Sequence, residues 1–194
     1  EKSTKWMGLG VAVSDSPTGP FKDAIGGPLW REPYANDPSL FMDDDGSAWL
    51  YLHGMGHDYT VIEMADDLLS VKGDLHKMDM GGYEPKMEGP WVFKRNGIYY
   101  FTMPENNRIL SYYTSDSPKG PWQFRGVIME SEGANNHHSI VEYKGRWILF
   151  HHEWIRKDPK HQRRLRAEFI DFNDDGTIKL VEPTEEGVGD FFKK

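Results

Sequence analysis

The chain repeats itself every fifty residues or so, and this spacing limits its fold more than any other feature. The segments DDGSAWLYLHG (44–54), RNGIYYFTMPE (95–105) and YKGRWILFHHE (143–153) align on Gly46, Gly97 and Gly145, which lie 51 and 48 residues apart. A second series has the same period: SDSPTGPF (14–21), the weaker ADDLLSVKGD (65–74) and SDSPKGPW (115–122) place Asp15, Asp66 and Asp116 at steps of 51 and 50. The chain is a tandem array.

Each unit reads as β-structure. Asp45-Gly46, Asn96-Gly97 and Lys144-Gly145 predict hairpin turns, because glycine tolerates the positive φ such turns need. Apolar and aromatic runs flank them: Ser39–Met42 with Ala48–His53, Trp91–Lys94 with Ile98–Met103, and Ile140–Tyr143 with Trp147–His152. Third strands are expected at Thr60–Met64 and Ile109–Thr114, a leading strand at Trp6–Val13, one helical turn within Ala65–Val71, and closing strands over Leu165–Phe172 with the Asp175-Gly176 turn completing the last unit. Three to four short strands per repeated unit predict an all-β chain, a β-propeller in which each unit is a blade. One domain over residues 1–194 is expected.

Composition narrows the class of partner. A mean hydropathy of −0.69 with 13% aromatic residues is that of a globular chain. The net charge of −8, with scattered Lys and Arg, argues against nucleic acid and against an anionic membrane surface. No cysteine is present, which removes thiol and disulfide chemistry. No apolar run is long enough to span a bilayer and no signal peptide is visible, so an extracellular and a cytoplasmic bacterial setting fit equally.

In a propeller the innermost strands begin around a central channel, so residues at those points converge. The first unit begins YANDPSLF and offers Asn36 and Asp37; the second begins MEGPWVF and offers Glu88; the third begins NNHHSIV and offers His137 and His138. Asp37, Glu88 and His137 lie 51 and 49 residues apart, the blade period again. Two carboxylates near one another hold one protonated, and the protonated one can donate to a leaving group. Glu88, beside Gly89, Pro90 and Trp91, is expected in a dry setting suited to an acid. Trp30, Tyr34, Trp91, Trp122 and Trp154 are candidate stacking faces for a sugar. Asp43, Asp44 and Asp45 lack the further spacing of a calcium loop and read as a solvated turn.

YANDPSLFMDDDG, MEGPWVFKRNGIYYF and NNHHSIVEYKGRW, with SDSPTGPF and VEPTEEGV, resemble the hallmark segments of glycoside hydrolase family 43. These are five-bladed propellers that act on arabinose and xylose residues of plant polysaccharides, as arabinofuranosidases and xylosidases. The resemblance implies about three blades here and inverting hydrolysis. By position it makes Glu88 the general acid and Asp37 the carboxylate that tunes the acid's pKa and orients substrate. Asn36, Trp91, His137 and either Arg163 or Arg164 would bind substrate. It implies no required cofactor and leaves room for a channel calcium ion that His137 contacts through water.

The family's general base is a first-blade aspartate, and nothing in residues 1–36 matches it. The chain is therefore expected to be an N-terminally truncated portion, or to take its start from another polypeptide. Open sheet edges would then favour self-association. The competing reading is a non-catalytic carbohydrate-binding propeller.

Overall fold

A computed structural model describes residues 8–30, 36–53, 58–83, 88–105, 109–130, 137–154 and 163–193, the side chains of Glu153 and Trp154 excepted. The chain divides into two compact units, Glu1–Met78 and Asp79–Lys194.

In the first unit, β1 (Ala12–Val13) and β2 (Lys22–Asp23) form a small antiparallel pair. A four-stranded meander follows: β3 (Asn36–Met42), β4 (Ala48–His53), β5 (Tyr59–Met64) and β6 (Val71–Lys77), paired in chain order. Every residue of β4 is buried, so both faces of this central strand are covered and its sequence, AWLYLH, is apolar without alternation. Leu50, Leu52, Ile62 and Met64 form the core, and Leu9, Leu29 and Trp30 pack against it.

The second unit contains the meander β7 (Trp91–Arg95), β8 (Ile98–Glu105), β9 (Ile109–Ser115) and β10 (Gln123–Glu130), then the three-stranded sheet β11 (His138–Tyr143), β12 (Arg146–Trp154) and β13 (Arg163–Ile170). The two sheets share a core: Phe93, Tyr100, Leu110 and Tyr112 from one meet Ile140, Leu149 and Ile170 from the other. Phe93 stacks on Tyr100 at 4.7 Å and approaches Trp147 at 4.9 Å.

The turns fall into two kinds. At Asn96-Gly97 (φ 51°, 81°) and Lys144-Gly145 (φ 50°, 74°) both residues are left-handed, the two-residue geometry that matches strand twist. At Asp43–Ser47 the loop is one residue longer than expected: Asp43 N–H donates to Ser47 O at 2.8 Å, Gly46 N–H to Asp43 O at 3.0 Å, and only Gly46 is left-handed. The Asn173–Thr177 turn has the same pattern, at 2.8 and 3.0 Å. In each, an aspartate two residues before the exit accepts a backbone N–H: Asp45 from Ser47 and Asp175 from Thr177.

The repeated SDSP segments share local geometry as well as sequence. Gly19 N–H donates to Ser16 O at 3.0 Å and Gly120 N–H to Ser117 O at 3.1 Å, and each glycine precedes a cis proline.

Several of these expectations change. Ala65–Val71 forms a turn closed by Leu68 N–H to Ala65 O, with Leu68 at φ 58°, instead of a helical turn. β6 and β10 complete four-stranded sheets that the apolar pattern did not reveal, because these outer strands are largely exposed and interrupted by register shifts. The Asp175 turn folds the chain back on the end of β13, where Phe172 bridges Ile178 and Lys179 N–H donates to Asp171 O at 2.9 Å; beyond it Val181 pairs in parallel with Met129 of β10 and donates to Ile128 O at 2.7 Å. The VEPTEEGV segment is then anchored on β13, where buried Glu168 accepts from Thr184 N–H at 2.9 Å and from its hydroxyl at 3.3 Å. The leading strand, expected over Trp6–Val13, shortens to Ala12–Val13; Trp6 and Met7 of that expectation lie outside the described residues.

Candidate active site

Within the second unit, the ends of two sheets assemble a polar group. Glu88 lies three residues before β7 and His137 immediately before β11. The Glu88 Oε1 and His137 Nε2 atoms are 3.8 Å apart, and each side chain is 36% exposed. The dry setting expected for Glu88 is thus corrected to a half-open one with an imidazole as neighbour. Gly89 allows the approach. Its φ is 85°, and a Cβ there would stand 3.0 Å from His137 Nδ1.

His152, at the far end of β12, stacks on His137 with ring centres 6.4 Å apart and planes 22° apart. His152 pairs with Leu165 and Trp154 with Arg163, so Arg163 shares the His152 face of the sheet. Arg164, one residue on, belongs to the face of His151 and Arg166. Both arginines are exposed at the end of β13.

Glu105 closes β8 at the same end of its sheet as Glu88, since β7 and β8 are antiparallel. Its carboxylate lies close enough to Tyr83 and Tyr113 for its charge to act on both hydroxyls. Burial, then the charge of Glu105, pushes the Tyr113 hydroxyl far above the ordinary tyrosine range; Tyr83 moves the same way for the same reasons.

In the first unit, Asn36 and Asp37 open β3, both half-buried. Asp37 adopts φ 46° inside a register shift between Asn36 and Ser39. Such a bulge re-aims a side chain at a strand end. Aspartate is among the few non-glycine residues that tolerate this conformation. The Asn36 amide lies 3.4 Å from an Asp37 carboxylate oxygen.

The aromatic candidates separate. Trp122 is 1% exposed and packs on Phe101 at 5.4 Å, a core residue with no face for a sugar. Trp30 packs against the first core. Trp91 is half-buried against the second, and its indole N–H donates to Ile140 O at 2.8 Å. Tyr34 and the Trp154 side chain lie outside the described residues.

The profile of Glycosyl hydrolases family 43 matches residues 1–178. The chain belongs to that family. Among curated proteins, it is 34% identical over 199 residues to a beta-D-galactofuranosidase of Aspergillus niger, covering 93% of this chain and 57% of that protein. It is 32% identical to a beta-xylosidase of Xylanibacter ruminicola, covering 89% and 66%. Among solved structures, an alpha-L-arabinofuranosidase of Clostridium thermocellum is 38% identical at a TM-score of 0.76, with 91% and 66% covered. A family 43 beta-xylosidase/alpha-arabinofuranosidase from a compost metagenome, solved with xylotriose in a calcium-free form, is 32% identical at 0.77, with 89% and 64% covered. The chain thus spans between 57% and 66% of the lengths of these relatives. Its fold class is the family's all-β propeller, with about three blades in this chain.

Sequence reasoning missed His152 and Glu105. The HHE run at the end of the expected strand was visible, but the stacking of His152 on His137 depends on the β11–β12 register, which the sequence leaves open.

Proposed function

We propose that this family 43 protein hydrolyses O-glycosidic bonds of arabinose- or xylose-containing saccharides by single displacement with inversion, with Glu88 as the general acid. The observation that carries the reading is Glu88 at the entrance of a sheet's first strand, half-open to solvent and 3.8 Å from His137. The names of its relatives support the sugar class.

In the proposed reaction the Glu88 carboxyl transfers its proton to the glycosidic oxygen as the bond from that oxygen to the anomeric carbon breaks. Water attacks the opposite face, gives up its proton to a base, and leaves the product sugar inverted. That base is assigned to none of residues 1–194. Asp37 keeps Glu88 protonated by its negative charge and, with Asn36, orients the sugar. His137 and Arg163 contact the sugar or its leaving group.

His137 also suits a water-mediated contact to a calcium ion. Calcium takes six to eight oxygen ligands; beside His137 stand the Glu88 carboxylate, which is such a ligand, and the His152 imidazole, which is not. A bound ion would supply fixed positive charge to the channel.

Glu88→Gln tests the reading. Turnover of an unactivated xyloside or arabinofuranoside should fall by about 10²- to 10⁴-fold, the usual contribution of a general acid. Activity within tenfold of the parent protein would sink the assignment.

A further inference from the structure

We propose that Thr102 is a positioning residue for this site, its hydroxyl joining the strands that follow Glu88 and His137. The inference rests on Glu88 being the acid, and it names a residue that touches neither substrate nor the reacting atoms.

Thr102 lies in β8 opposite Trp91 of β7, and it is 0% exposed. Its Oγ1 is 3.2 Å from the Trp91 carbonyl and 2.6 Å from His138 Nε2. A hydroxyl has one proton, and a carbonyl can only accept. Both contacts are satisfied when Thr102 O–H donates to Trp91 O and His138 donates Nε2–H to Thr102 Oγ1. The geometry therefore assigns His138 the tautomer protonated at Nε2.

A second link runs beside it, from the Trp91 indole to Ile140 O at 2.8 Å. One bond holds His138 and the other holds Ile140, so β11 is fixed at two points against the β7–β8 hairpin. Glu88 stands three residues before the first anchored residue of β7, and His137 one residue before the first of β11. The separation of acid and histidine follows from these links. Glu88 itself sits just before the start of β7.

Thr102→Val keeps the volume and deletes the hydroxyl; Thr102→Ser keeps the hydroxyl. The experiment compares methyl and dinitrophenyl glycosides of whichever sugar the full-length protein prefers, xylose or arabinofuranose. A methyl glycoside needs the acid's proton, whereas dinitrophenolate leaves without it. With the acid displaced, Thr102→Val should lose on the order of 10- to 100-fold on the methyl glycoside and less than about threefold on the dinitrophenyl one. Thr102→Ser should restore most of the loss. An equal loss on both substrates, as a smaller folded fraction would give, overturns the proposal, as does no loss. Glu88→Gln measured alongside separates the failures. If it is inactive on the methyl glycoside while Thr102→Val is fully active, only the positioning role falls. If Glu88→Gln is active, or the parent protein cleaves neither sugar, the acid assignment falls and this inference with it.

Discussion

The indole N–H of Trp91 donates to the backbone carbonyl of Ile140 at 2.8 Å, across the junction of two sheets. A tryptophan three residues after the candidate acid invites reading as a sugar platform, yet its polar edge is committed to protein and its ring to the core around Phe93. Its contribution to the site runs through the placement of β7.

Trp91→Phe separates those two roles. Phenylalanine keeps an aromatic ring but cannot donate, and loss of a buried hydrogen bond costs about 1–3 kcal/mol. Chemical denaturation should show a loss of that size, with KM changed by less than about threefold and kcat lowered. A large rise in KM at unchanged stability would restore the platform reading.

Gly89→Ala probes the approach of acid and histidine. The backbone there is left-handed at φ 85°, and the new methyl would stand 3.0 Å from the His137 ring, so the ring must move. An αL residue without glycine costs about 1–2 kcal/mol. The variant is expected to be modestly less stable and, because the displaced ring adjoins Glu88, to lose about tenfold or more in kcat/KM. Full activity in a folded Gly89→Ala protein would show that the placement of His137 is immaterial.

The array of units, their hairpin glycines and the strands beside them were legible in the sequence because a two-residue turn needs left-handed residues and a central strand needs apolar ones. The outer strands were not, since VKGDLHK of β6 faces solvent and carries no periodic signal. The site was legible only as positions. That Glu88 and His137 approach is set by the Thr102 and Trp91 links, which join residues 36 and 49 apart in sequence. The bulge at Asp37 likewise left no mark beyond the tolerance of aspartate for positive φ.

Asp37→Asn tests the proposed tuning of the acid. Asparagine accepts the left-handed backbone at φ 46° as well as aspartate does, so the strand end is retained while the charge is removed. A nearby negative charge disfavours ionisation of a second carboxyl. Without it the acid releases its proton more readily, and the alkaline limb of the kcat/KM profile should move to lower pH. An unmoved limb would exclude this role for Asp37.

Alkaline pH should unfold the second unit through its tyrosines. Tyr83, Tyr100, Tyr112 and Tyr113 are all raised above the ordinary value, in each case first by burial. Glu105 adds its charge at Tyr83 and Tyr113, whereas Arg95 at Tyr100 and the Ile178 amide at Tyr112 offset part of the rise. A hydroxyl whose folded pKa is raised contributes stability that is fully present below the unfolded value, about 10 for tyrosine. The contribution is lost as pH climbs from there towards the folded value, because the unfolded chain releases the proton first. Phenolate absorbance followed against pH should therefore show one group of tyrosines ionising with normal behaviour and another only as near-ultraviolet dichroism collapses. Tyr113→Phe should move that collapse to higher pH. Smooth ionisation of every tyrosine near 10, with the dichroism intact, would show that these hydroxyls are open to solvent and the packing between β8 and β9 looser than described.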